Sequence, residues 1–394
     1  MPNLIRVNMT TGNVRLLPLP AGDIMPSGRV FNSRVLYTEM DPEAPPLGTG
    51  GIITVSPGSF AGRELPFADE ILITAKSPLD GDLHTVRVIS RAARMLSAIE
   101  ASCIAIEGRS RSISPLFLLI DRSKSSLARI PGLTSWKSVE SGYRLQEEIH
   151  RVFGHNSVAI FCGPLAAAPD LRTSFLVSGS SAVSLKNIDA EGLDGVFLSK
   201  GLAGVIIKAP LQGLRAAHAC AAPEGLSDIV SCARHSGLEG TPFARASLCG
   251  FCLSRNVAAT ETTSRRACAD LGISCAYEDI IPAAPCSPQA LREALAGIPI
   301  LPEEMPRMIP ADYAAALDGL GICCRAVRPE DCEEILSRSA DLLNRLAGSS
   351  LWTAERLLEA GRETLSREQA FSSWAHRSAP RPASEHPANK AASL

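Results

Sequence analysis

The sequence predicts an α+β fold with a β-rich first half and a helical second half. Short β-type runs fill the chain up to Pro210, only two stretches with helical spacing interrupt them, and the composition changes after that proline. The runs are Ile52 to Val55, Glu70 to Thr74, Cys103 to Ile106, Leu116 to Ile120, Ser157 to Phe161 and Gly204 to Ile207. Pro57-Gly58, Pro131-Gly132 and Gly163-Pro164 supply turns between them. The interrupting stretches, Val86 to Ile99 and Ser138 to Val152, read as helices.

Beyond Pro210, Ala, Leu, Arg and Glu dominate and apolar residues recur three or four apart. Ser287-Pro288 opens a helix at Gln289 to Ala296, and Ser339 to Leu346 and Thr353 to Ala370 read as amphipathic helices. From Ser378 the chain is rich in Pro, Ser and Ala and has too little apolar surface to fold. The expected organisation is therefore a β-rich domain over 1–210, a helical region over 211–377 and a disordered tail over 378–394.

Composition narrows the function classes. Hydrophobic residues make up 45% of the 394 positions, enough for sizeable cores. The 39 basic and 41 acidic side chains are interspersed, so no surface for nucleic acid is expected. No apolar run reaches the roughly 18 residues a membrane span needs, and the first residues lack a signal-peptide pattern, so the expected location is cytoplasmic. The 12 cysteines are absent from the first 102 positions and crowd between 220 and 332, a distribution that suits thiols or metal ligands better than disulfides.

Cys249-Gly250-Phe251-Cys252 is the sharpest local motif. Two intervening residues let both sulfurs face one ion or cluster, and the glycine relieves crowding in the turn. The segment before it does not read as the strand of a thioredoxin-like redox unit. Zinc and iron–sulfur ligation both stay open, as does an inert pair. The doublet Cys323-Cys324 follows Asp318-Gly319-Leu320-Gly321-Ile322. No nucleophile elbow, Walker-type or dinucleotide glycine motif is present.

Taken in order, a longer series of segments resembles the aldehyde:ferredoxin oxidoreductases, tungsten- or molybdenum-pterin enzymes with one [4Fe–4S] cluster. The series runs from Leu4-Ile5-Arg6-Val7-Asn8-Met9-Thr10-Thr11-Gly12 through Gly28-Arg29, Leu36-Tyr37, Pro46-Leu47-Gly48 and Ala75-Lys76-Ser77-Pro78-Leu79. It continues with Ile106-Glu107-Gly108, Leu118-Leu119-Ile120-Asp121, Gly163-Pro164 and Ser199-Lys200. Further on, Cys249-x-x-Cys252 stands where that family has a three-cysteine run, and Asp318-x-x-Gly321-Ile322-Cys323 resembles its second pterin-side motif.

The resemblance implies an N-terminal domain of that family's type and a reduced helical C-terminal region. It implies cluster ligands at Cys249, Cys252 and Cys323, and pterin-side positions at Arg29, Lys76, Asp318 and Gly321. It also implies oxidation of an aldehyde to a carboxylic acid, with electrons leaving through the cluster to ferredoxin.

The departures from the family pattern are specific. Asn256 replaces the third cysteine of the run, and Ala269 and Ser274 replace the two aspartates of the first pterin-side motif. Where the family has a Gly- and Asn-rich loop near the cofactor phosphates, this chain reads Asp82-Leu83-His84-Thr85-Val86-Arg87-Val88. β-Branched residues there cannot allow close backbone approach. The closing turn carries carboxylates at Glu191 and Asp194, which oppose an anionic cofactor. Two functions follow as expectations: an oxidoreductase with a reduced site, or a non-catalytic binding, regulatory or accessory subunit that pairs with a second copy or a full-length homologue, with or without a structural metal.

Overall fold

In the computed structural model, residues 3–19, 27–63, 68–122, 124–166, 173–178, 185–208, 270–271, 309–324, 327 and 329–377 are described. The N-terminal domain is built on two six-stranded sheets. Sheet one contains β1 (Asn3–Asn8), β2 (Asn13–Pro18), β3 (Ile53–Pro57), β4 (Glu70–Lys76), β5 (Leu83–Ile89) and β6 (Ala101–Glu107), in the order β2-β1-β6-β3-β4-β5. Sheet two contains β7 (Leu116–Asp121), β8 (Ser125–Ala128), β9 (Val158–Cys162), β10 (Ser174–Ser178), β11 (Leu185–Asp189) and β12 (Leu202–Lys208), in the order β11-β10-β9-β12-β7-β8. One pair in each sheet is parallel, β1 with β6 and β7 with β12, and the others are antiparallel.

The alternation of side chains along each strand divides the core. Ile5, Val7, Ile104 and Ile106 of sheet one share a buried cluster with Leu118, Ile120, Ile160 and Val205 of sheet two. Two helices complete this layer, α2 (Arg91–Ala98) and α4 (Leu193–Ser199). The intervening residues point the other way. Phe117, Phe161 and Ile206 meet Leu145, Ile149 and Phe153 of α3 (Gly142–Phe153), while Leu4, Cys103 and Ala105 meet Phe31, Val35 and Leu36 of α1 (Gly28–Glu39).

Three helices over residues 309–377 are described, α5 (Ala311–Leu320), α6 (Cys332–Ala347) and α7 (Ala354–Arg377). They share a core with Phe60, Ala68 and Ile89 of the first domain, and Phe371 of α7 is buried beside α1. No helix among the described residues is long and apolar enough to cross a membrane.

The α+β class stands, but the boundary between Val86 and Ile99 differs from the expected single helix. Val86 and Val88 are buried at alternate positions of β5, and α2 starts only after Ser90, whose side chain accepts a hydrogen bond from Ala92 N. Helix α1 has little apolar stripe because Asn32 and Ser33 are buried on its inward face, where Asn32 donates to Leu72 O. The expected helix at Gln289 to Ala296 and the tail over 378–394 lie outside the described residues.

Glycine-to-glycine contact seats α5 on the first domain. A Cβ on Gly58 would lie 2.0 Å from the Cα of Gly321, and one on Gly28, which has φ +58°, would lie 2.2 Å from Asp318 O. Backbone hydrogen bonds cross the same seam, from Phe60 N to Leu320 O at 2.9 Å and from Ser59 N to Gly319 O at 3.3 Å. Gly58→Ala should therefore force the two backbones apart and destabilise the fold by about 2 kcal/mol. A urea-unfolding midpoint unchanged from that of the unmodified chain would show that the seam can absorb a methyl group.

Candidate functional site

The seam places the Asp318 carboxylate, near the C-terminus of α5, inside the molecule with 0% of its surface exposed. Helix α5 stops immediately beyond it because Gly321 takes φ +78°, a left-handed value that glycine adopts without Cβ strain. A buried carboxylate demands charged donors, and two arginines provide them. Arg87, on β5, donates from Nε to Oδ1 at 2.8 Å and from Nη2 to Oδ2 at 2.5 Å. Arg29, on α1, donates from Nη1 to Oδ2 at 3.0 Å.

Arg29 then turns its other edge to α7, donating from Nε and Nη2 to the Glu368 carboxylate at 2.9 and 2.6 Å. Two carboxylates and two guanidiniums thus alternate across four elements, and their formal charges cancel. Burial acts to raise the Asp318 pKa, but the charge and hydrogen bonds of Arg87, then those of Arg29, outweigh it and hold the group below the usual carboxylate range. Its contribution to stability is present above the unfolded value of 3.8 and is lost as pH falls through the depressed folded value. The neighbouring carboxylates raise the Arg29 and Arg87 pKa values against the opposing effect of burial.

Lys76 ends β4, and its Nζ donates to the backbone oxygens of Pro42 and Ala44. Burial lowers its pKa. Above it, His84 bridges two loops: Nδ1 lies 2.9 Å from Glu191 Oε2 and Nε2 lies 2.7 Å from Asp80 Oδ2. Burial acts to lower its pKa, but Glu191 and Asp80 together lift it to about 9. The stabilisation from this bridge is complete below the unfolded value of 6.5 and disappears as pH rises through about 9.

Of the three sequence-predicted thiol ligands, Cys323 is described and is buried in the core shared by α5 and α6. Cys249 and Cys252 lie outside the described residues, as does Asn256. Burial pushes the thiols of Cys324 and Cys332 up to about 12 and about 11. Among the described residues, no group of three or more His, Cys, Asp or Glu side chains is placed to hold a metal ion. Asp270, inside the segment that resembles the first pterin-side motif, accepts from Ser141 Oγ at 2.5 Å and Tyr143 N at 3.2 Å at the start of α3.

The structure brings together Arg29, Asp318 and the glycine contact at Gly321, while Lys76 is engaged separately. Sequence reasoning missed Arg87 and Glu368. A lone arginine among Val86, Val88 and Ile89 was the available signal for Arg87, and Glu368 falls on the buried stripe of α7 with Leu357, Thr364, Phe371 and Ala375, where a carboxylate stands out.

Residues 4–209 match the family described as aldehyde ferredoxin oxidoreductase, N-terminal domain. The chain belongs to this family. A solved structure similar to it is described as the active site complex BamBC of benzoyl coenzyme A reductase in complex with 1,5-dienoyl-CoA. It aligns at 16% sequence identity and a TM-score of 0.46, over 52% of this chain and 30% of that one. The chain therefore spans less than a third of that structure's length. In this aldehyde ferredoxin oxidoreductase family member, the matched region ends just after β12, so it holds Gly28, Arg29, Gly58 and Arg87, while the α5 side of the seam with Asp318 lies beyond it.

Proposed function

We propose that this chain is a non-catalytic member of its family, a regulatory or accessory subunit that keeps the fold as a binding module for a second copy or a longer homologue. One observation carries the reading: Asp318, the carboxylate that the sequence resemblance sets beside a pterin, is fully buried and already filled by Arg87 and Arg29. A planar guanidinium presenting two parallel N–H groups offers a carboxylate the same pair of donors as an aminopyrimidine edge, so the internal partner and an external one compete for the same oxygens.

Three further features support the reading. Glycines 28, 58 and 321 touch protein backbone. Lys76 is spent on two carbonyls, and the loop over 80–84 is tied to Glu191 through His84. The residues present do not fit a pterin at this seam, and no redox step is assigned to it. Cys249, Cys252 and Cys323 stay candidate ligands for a structural iron–sulfur cluster or zinc ion.

The test is metal and pterin analysis of the full chain, purified anaerobically from cells that make the cofactor. Tungsten, molybdenum and pterin should each fall far below one per chain, and aldehyde should reduce no dye. Stoichiometric pterin-bound metal with aldehyde-dependent reduction would overturn the proposal.

A further inference from the structure

In the first domain, two histidines meet at the end of α3, and the charge of Arg91 at the start of α2 acts on one of them. His150, in the last turn of α3, is 3% exposed, and neither of its ring nitrogens has a hydrogen-bond partner among the described residues. The ring of His155 lies 5.3 Å away between centroids, tilted by 53°. Nη2 of Arg91, the first residue of α2, is also buried without a partner among these residues.

Such groups are costly to bury unsatisfied, and here each can donate a hydrogen bond once His150 is protonated. The charges acting on His150 are those of His155, from the turn after α3, and Arg91, from α2; both are basic, and together with burial they lower its pKa. A ligand for this place must accept hydrogen bonds and carry negative charge. A metal cation fails on both counts: Arg91 repels it, and two imidazoles are too few for a stable site. Water would satisfy a nitrogen but leave the charge uncompensated. A tetrahedral oxyanion offers acceptors in several directions and turns the repulsion among the three side chains into attraction.

We propose that Arg91, His150 and His155 form a binding site for a small phosphate-type oxyanion, either inorganic phosphate or the phosphoryl group of a soluble small molecule. The depth of His150 excludes a flat, headgroup-bearing surface. This site is independent of the seam at Asp318 and of the function proposed from it. Binding draws a proton onto His150, so affinity rises as pH falls towards the lowered value of that imidazole in the free protein.

The experiment is calorimetric titration of the full chain with inorganic phosphate at pH 6 and pH 8, with the histidine ring signals followed by NMR. One phosphate should bind per chain, about tenfold more tightly at pH 6, and should shift the His150 and His155 signals. Arg91→Gln and His155→Gln should each weaken binding about tenfold while leaving the circular dichroism and melting temperature of the free protein unchanged. Competition by glycerol phosphate would extend the site to phosphorylated small molecules, and its failure would assign the site to the free ion. Absence of saturable binding, equal binding by Arg91→Gln, or histidine shifts produced by zinc and not by phosphate would each overturn the assignment.

Discussion

Replacing Asp318 with alanine is expected to destabilise the protein by about 3–5 kcal/mol, the cost of removing one partner from a buried ion cluster. The substitution strands the Arg87 guanidinium, which donates both of its bidentate bonds to this carboxylate, and leaves Arg29 with Glu368 alone. It also removes the group that links β5 and α1 to α5, so the effect should be local before it is global. Hydrogen exchange should rise first in α5 and α7, and urea unfolding should show an earlier midpoint. Asp318→Leu combined with Arg87→Met should lose less than Asp318→Ala, because the charge left uncompensated is the main penalty. A loss below about 1 kcal/mol for Asp318→Ala would mean that water reaches the arginines and that the carboxylate is not sealed.

Several strands were legible because an apolar run is buried on both faces. β4 is buried at all seven of its positions and β9 at all five, because each sheet is covered on both sides, and such runs stand out in a sequence. Strand β2 is exposed at most positions and β8 is half-buried throughout; as edge strands they lack that signature. Helix α1 was missed for a different reason, since its inward face relies on Asn32 and Ser33 to bond to neighbouring strands and helices. Polar residues that become satisfied only after packing look like surface residues beforehand.

The site was legible in two of its four members and illegible in its connections. Arg29 and Asp318 could be singled out by their motifs, yet their bond spans 289 positions, and that between Arg87 and Asp318 spans 231. Nothing local specifies such pairs; they follow from Gly28, Gly58 and Gly321 letting α5 approach the first domain at backbone distance. The pairing of the two arginines with the carboxylate is thus a consequence of the seam.

At pH 7.5, Asp194→Asn should stabilise the protein, which is unusual for a change at a fully buried position. Asp194 is 0% exposed in α4, its Oδ1 accepts from Gly195 N at 2.9 Å, and its Oδ2 is buried without a hydrogen bond from the described residues. Burial, partly offset by the nearby Thr173 side chain, raises its pKa from 3.8 to about 7. The unfolded chain gives up this proton near pH 4 while the native state holds it to about 7, so the unfolded state binds fewer protons across that window and stability falls as pH rises through it. A rise from 3.8 to about 7 is equivalent to about 4 kcal/mol as an upper bound. Asparagine keeps the acceptor for Gly195 N and removes the titration, but its amide group needs an acceptor of its own, at a cost of about 1–2 kcal/mol. A net gain of about 2 kcal/mol is therefore expected at pH 7.5, shrinking to nothing or reversing at pH 4. The His84 bridge begins to weaken above about pH 6.5 but is common to both proteins, so the difference between their urea midpoints from pH 4 to 7.5 isolates residue 194. Parallel pH profiles for the two proteins would show that Asp194 ionises at its ordinary value and that solvent reaches it from the side of Thr173.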